Sequence, residues 1–225
     1  MQKEYYSNNL YPLQNEILAI VQNLNIDFYL TGGTALSRFY FNHRFSDDLD
    51  FFINNDSNFK EKVRLFERKF REKYLDSFEL GLLEDSFSRM SIKGNNCILK
   101  LDFVNDIPVH FGNFNKFPLF NLVDNPINIL SNKISALPRN SPKDIADIIF
   151  ISKNNKFNWK DIIINAQDKD MWVNPIDVAS IIDTFPIDLF DDINWIQKPD
   201  YKLLFNDLKI IAKEILLGDD NSLFS

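Results

Sequence analysis

The stretch from Phe28 to Phe52, FYLTGGTALSRFYFNHRFSDDLDFF, constrains the fold more than any other part of the chain. Phe28-Tyr29-Leu30-Thr31 predicts a short buried strand. Gly32-Gly33 ends it in a tight turn, where backbone can come close to a ligand. Thr34-Ala35-Leu36 open a helical pattern that runs to about Phe41. Free N–H groups at the helix start then lie beside the glycines, where a phosphate is stabilised. Further on, Asp48-Leu49-Asp50 leads into Phe51-Phe52-Ile53, an alternation that turns wholly apolar and predicts a second strand. Residues two apart on a strand share a face. Asp48 and Asp50 therefore point the same way, with Cα atoms about 7 Å apart, while Leu49 and Phe51 enter the core. Paired carboxylates suit hard Mg²⁺ ions, and two such ions can clamp the attacking and leaving oxygens of a phosphoryl displacement. Taken singly, Gly-Gly is a common turn and Asp-x-Asp a common solvated strand edge. Their order carries the inference, and it calls for a third acid.

That acid is Asp102. Phe78 to Leu83, Phe87 to Lys93 and Cys97 to Val104 read as strands, with Gly94-Asn95-Asn96 a hairpin turn between the last two. In CILKLDFVND, Ile98, Lys100 and Asp102 share one face, and Leu99, Leu101 and Phe103 share the other. The alternative is an ordinary exposed strand acid; Asp106, just beyond, reads as a turn residue. Two helices frame these strands. Pro12 to Leu24 carries an apolar stripe. Lys60 to Lys73 is amphipathic, with seven basic residues against three acidic ones on its polar side. That side reads either as a solvated face of i,i+4 pairs or as a phosphate-contacting surface for an RNA.

From about Asn125 the pattern becomes helical: Asn125-Pro126 to Leu137, Ser141-Pro142 to Lys153, Trp159 to Gln167, Pro175 to Ile182 and Lys202 to Leu217. The expected division is an α/β domain over 1–122 and a helical domain over 123–225. Phe117 to Leu122 reads as either a last edge strand or a linker, and Ile182 to Asp200, acidic and turn-rich, is assigned no role. Composition sets limits on function. With two histidines and one cysteine, Cys97, no zinc constellation or internal disulfide is possible, which fits a reducing cytoplasm. A net charge of −7 argues against a general coat on nucleic acid. The N-terminal residues lack an apolar signal core and no segment approaches a membrane span, so an unexported chain without membrane association is expected.

In order, strand, Gly-Gly-Thr, helix, His43-Arg44, Ser46 and Asp48-Leu49-Asp50-Phe51 resemble the signature of the DNA polymerase β-type nucleotidyltransferase superfamily. The match resembles most its AbiEii/AbiGii branch, nucleotidyltransferase-like toxins of bacterial abortive-infection and toxin–antitoxin systems. NKISALPRNSPKDIADIIFI resembles a second block of that family through Lys133, Ala136, Leu137, Arg139, Lys143, Asp144 and Asp147. Arg139 follows Leu137 more closely than the family spaces it. The likeness covers about residues 12–153. It implies a nucleotidyltransferase-type mixed sheet flanked by helices and followed by a C-terminal helical bundle. It implies that Gly32, Gly33 and Thr34 hold the phosphates of an NTP, with Arg44 and Ser46 in the same nucleotide site. Asp48, Asp50 and Asp102 would bind two Mg²⁺ ions, Asp102 acting as ligand or base, and Lys133 would offset triphosphate charge. Asp144, and after it Asp147, would belong to the active site. Taken alone, Asp144 also suits a plain helix start, and Asp147 needs a partner such as Lys133 or Arg139. The implied acceptor is an RNA such as tRNA, and the implied partner a cognate antitoxin. A small-molecule or protein acceptor, or a non-catalytic binding module, remains the alternative.

Overall fold

Alternating strands and one aromatic helix build the first half of the chain. The computed structural model describes residues 2–224. It falls into two units: the first comprises the chain up to Phe39, Phe45–Pro108 and Asn113–Asp124, and the second Tyr40–Arg44, Val109–Gly112 and the chain from Asn125.

In the first unit, α1 (Tyr11–Asn23) buries Leu13, Ile17, Leu18 and Val21 of the predicted stripe, while its fifth member, Leu24, caps the helix and is half-buried. Strands β1 (Tyr29–Thr31), β2 (Leu49–Asn54), β3 (Phe78–Leu83), β4 (Phe87–Gly94) and β5 (Cys97–Asp106) form one mixed sheet in the order β1-β2-β5-β4-β3. Only the β2–β5 pairing in this sheet is parallel, the long connection between these two strands running through a helix and the strands β3 and β4. Asp106 closes β5, paired with Asn54, and is not a turn residue; continued pairing with β2 holds it extended. One face of the sheet is covered by α3 (Phe59–Tyr74), whose Phe59, Val63, Phe66 and Phe70 are fully buried. Phe28, Phe51, Phe66 and Phe103 meet there at ring-centroid distances of 5.1–5.6 Å. The other face carries Asp50 and Asp102.

After Gly32 the chain turns through α2 (Gly32–Ala35), which widens into a π-helical stretch over Leu36–Phe41. The segment before Asn125 forms no strand of its own, but Leu30 N–H donates to the Leu122 carbonyl and Asp124 N–H to that of Leu30. It thus serves β1 as an outer edge.

The second unit holds α4 (Pro126–Ser135), α5 (Pro142–Asn154), α6 (Trp159–Gln167), α7 (Pro175–Asp183) and α8 (Tyr201–Leu217). Asn125, Asn158, Asn174 and Asp200 cap four of them with side-chain oxygens, and proline fills the first helical position of α4, α5 and α7. Pro138 breaks α4 short of the expected Leu137. The unit also takes in residues from earlier in the chain. Phe111 is bound through its backbone by the side chains of Asn125 and Asn128, and His43-Arg44 by the ion pairs described below. Among the described residues, no helix is long and apolar enough to cross a membrane.

Candidate active site

Gly32 sits at φ +68°, a left-handed conformation that favours glycine, and a Cβ there would come within 2.8 Å of Asp50 Oδ2. The turn after β1 is therefore pressed against the carboxylate of β2. Thr31 is paired with Asp50, Asp50 with Asp102 and Asp102 with Arg89, so one row of side chains crosses β1, β2, β5 and β4 on a single face. Arg89 Nε lies 2.8 Å from Asp102 Oδ1 and its terminal nitrogen 2.7 Å from Oδ2, a bidentate pair. These bonds, and more weakly the charges of Asp48 and Asp50, push the guanidinium further toward its charged form. All three predicted acids therefore act on one cation.

Asp48 lies just before β2, and its position is fixed through its backbone. Thr34 Oγ1 is 2.5 Å from the Asp48 carbonyl and 2.8 Å from Ser46 Oγ. A hydroxyl has one proton to give, so Ser46 donates to Thr34 and Thr34 to Asp48. Both hydroxyls, buried and expected to hold phosphate, are turned to this support. Gln14, fully buried on α1, donates to the carbonyls of Ser46 and Asp47 at 3.1 and 3.2 Å and accepts from Arg38 at 3.0 Å. Tyr6 donates to Asp47 Oδ1 at 2.6 Å, and Thr31 to Asp124 Oδ2 at 2.6 Å. Neither Gln14 nor Arg89 was among the sequence candidates. A glutamine on the apolar stripe of α1 is the signal that points to the first.

Three carboxylates on or beside one sheet row, with a bare glycine against one of them, offer hard oxygen donors of the kind Mg²⁺ takes. Asp50, with the glycine turn pressed against it, and Asp48 supply oxygen donors of that type. Asp102 is turned to Arg89, and among the described residues no three acids, histidines or cysteines are gathered tightly enough to hold an ion.

The second motif block lies in the helical unit and forms a buried ionic network. Asp147, fully buried on α5, accepts from His43 Nε2 at 2.8 Å and from Arg44 at 2.8 and 2.7 Å, with Lys133 Nζ at 2.8 Å. Asp144 takes Lys133 at 2.5 Å and Arg139 Nε at 2.5 Å. Burial alone would raise Asp147, but Arg44 and Lys133 outweigh it and hold the carboxyl well below the usual range. Burial alone would lower Lys133, but Asp147 and Asp144 outweigh it and keep the ammonium charged. Burial pushes His43 down against the pull of Asp147. The neutral ring thus donates from Nε2, and among the described residues its Nδ1 has no partner. Arg44, expected to touch nucleotide, and Lys133 and Asp144, expected to be catalytic, are all members of this network.

The model of the AbiEii family, described as nucleotidyl transferase toxins of type IV toxin–antitoxin systems, matches residues 16–169. The chain belongs to the AbiEii family. It is a nucleotidyltransferase toxin of that class of toxin–antitoxin system. A protein of Aquifex aeolicus, aq_aa25, is 30% identical over 165 residues, 66% of this chain and 70% of that one. Among solved structures, JHP933 from Helicobacter pylori superposes with a TM-score of 0.58 at 22% identity, covering 91% of each chain. MenT4, a nucleotidyltransferase toxin from Mycobacterium tuberculosis, superposes with a TM-score of 0.59 at 14% identity, covering 92% of this chain and 82% of that one. At these identities the two structures bear on the fold alone, and both agree with the mixed sheet and C-terminal helices of this AbiEii protein.

Proposed function

We propose that this AbiEii protein transfers a nucleotidyl group from an NTP to the terminal hydroxyl of an RNA such as tRNA, with Mg²⁺ bound by Asp48 and Asp50. The observation that carries the reading is the row in which Asp50 and Asp102 stand in register on one sheet face, with Gly32 pressed against Asp50. When bound, Mg²⁺ would supply charge neutralisation of the phosphates. The remaining roles fall to the chain itself. Backbone N–H groups at Gly32-Gly33 meet phosphate oxygens, and Thr34 and Ser46 act at one remove by holding Asp48. The acceptor oxygen bonds to the α-phosphorus, the bond to the β-phosphate oxygen breaks, and pyrophosphate leaves with the electron pair. Asp102 takes the hydroxyl proton once Arg89 releases it, an exchange its exposure permits: the Arg89 side chain is 52% exposed. Lys133 stays charged within the ionic network of the helical unit, paired with Asp144 and Asp147. The family's toxin–antitoxin setting supports a cognate antitoxin as partner, and the single cysteine supports a cytoplasmic setting.

The test is transfer from each α-labelled NTP, with Mg²⁺, to total tRNA and to the protein, in wild type and Asp48→Ala. Label on RNA with one base preferred, lost in the variant, is expected. Label on protein alone, or RNA labelling that survives Asp48→Ala, would overturn the reading.

A further inference from the structure

The acceptor must reach the sheet face that carries Asp50 and Asp102, and that face does not end at the acids. β4 and β5 alternate strictly: Ser88, Met90 and Ile92, with Leu99, Leu101 and Phe103, are buried under α3, while Arg89, Lys93, Ile98 and Lys100 are exposed on the opposite side. Lys100 stands two residues before Asp102 on the same strand. Lys93 is paired with Ile98, four residues before Asp102, so the two ammonium groups extend over about 13 Å of sheet from the acid. Neither lysine is in an ion pair among the described residues, and Glu79, paired with Ser91, is the acid that faces them from β3. Ile98, 60% exposed, and Leu82, 42% exposed, lie on the same side and give bases an apolar surface.

The basic helix α3 is placed differently. It covers the opposite face of the sheet, and much of its charge is spent: Lys60 pairs with Asp85, Lys62 with Asp56, Lys69 with Glu72, Arg71 with Glu67 and Lys73 with Glu16. Arg64 and Arg68 are left over, with the thickness of the sheet between them and the carboxylates.

We propose that the open face of β4 and β5 is the docking surface for the single-stranded end of the RNA acceptor, its phosphates on Lys100 and Lys93 and its terminal hydroxyl delivered to Asp102. The assignment rests on the RNA reading above and adds the surface. In a chain of net charge −7, two unpaired cations on the face that bears the acids form a local complement to a polyanion.

The experiment compares Lys93→Glu/Lys100→Glu with Arg64→Glu/Arg68→Glu, both at exposed positions. It measures anisotropy of a labelled short single-stranded RNA across a salt series, transfer to total tRNA, and binding of a fluorescent NTP as a check on folding. Each single-strand phosphate contact contributes about 0.7 to the slope of log K against log salt, so losing two lowers it by about 1.4 and weakens binding roughly 25-fold at about 0.1 M salt. The lysine pair is expected to show that loss and a matching rise in KM for tRNA, with NTP binding at the wild-type value, and the arginine pair to behave as wild type. Wild-type RNA binding by the lysine pair, or the loss appearing in the arginine pair, would overturn the docking assignment. Failure of the wild-type protein itself to bind or label RNA would instead overturn the RNA reading, and the docking surface with it.

Discussion

Gly32→Ala tests whether the turn after β1 and the β2 carboxylate form one unit. Two costs can be worked out separately. The first is backbone strain: at φ +68° a Cβ costs about 1–2 kcal/mol whatever surrounds it. The second is the approach to Asp50. The added carbon would lie 2.8 Å from Oδ2 where ordinary contact begins at 3.4 Å, so the carboxylate must retreat by the difference, 0.6 Å. A displacement approaching 1 Å at a reacting centre costs on the order of 10²-fold in rate, and kcat should fall by about that factor while the protein stays folded. Urea unfolding of a double-mutant cycle separates the two costs. In an Asp50→Ala background, Gly32→Ala should retain the backbone cost and lose the steric one, giving a coupling within the roughly 0.5–3 kcal/mol seen for residues in contact. Coupling near zero, or wild-type kcat in Gly32→Ala, would refute the claim that the glycine exists to admit Asp50.

Three further outcomes are expected. Thr34→Val strands the Asp48 carbonyl and the Ser46 hydroxyl; unfolding should show a loss of about 1–3 kcal/mol, and kinetics a fall in kcat with little change in KM for NTP, whereas a rise in KM alone would return Thr34 to phosphate binding. Asp147→Asn removes the carboxylate charge that the buried Arg44 and Lys133 share and should cost about 3–5 kcal/mol in urea unfolding, a loss below about 1 kcal/mol counting against the network. His43 is held below its ordinary pKa when folded, so below about pH 6.5 the unfolded chain takes up a proton that the folded one does not. Its contribution is whole above that pH and falls as pH drops toward the folded value, by up to about 1.4 kcal/mol per unit; His43→Gln should flatten the urea midpoint in that window, and an unchanged slope would contradict a neutral buried ring.

The sheet acids and the helix ends were legible in the sequence because each depends on local rules. Period-two alternation placed Asp50 and Asp102 away from Phe51 and Phe103, and Asn or Asp before each run marked where α4, α6, α7 and α8 begin. Arg89 was not legible in that way, since it acts through a partner on another strand. The information was nevertheless present. With Gly94 opposite Cys97, each step back along β4 is matched by one step forward along β5, and five steps bring Arg89 opposite Asp102. The grouping of Tyr40–Arg44 with the helices was not legible for a different reason. Nothing local in Tyr40–Arg44 says that it joins the helices; that follows from Asp147, over a hundred residues away, whose buried charge demands cations.

That demand also explains why His43-Arg44 and Ser46-x-Asp48-x-Asp50 form one motif in sequence yet do different work. An acid at 147 without local cations would be neutral or unfolding, so the chain supplies Arg44 and the donor of His43 to it, and Ile196 N–H holds the His43 carbonyl at 3.2 Å. Phe45 then stacks on Tyr6 at 4.1 Å, and Gln14 and Thr34 take the next carbonyls, so Asp48 enters β2 from a backbone with little freedom. The short segment is fixed at both ends by buried polar bonds. Such bonds cost more to leave unmade than they return when made, so a substitution at His43 or Arg44 should reach the carboxylates through the backbone that precedes them. Loss of activity in an Arg44 variant would then appear in kcat before it appears in nucleotide affinity, the reverse of what a nucleotide-contacting arginine would give.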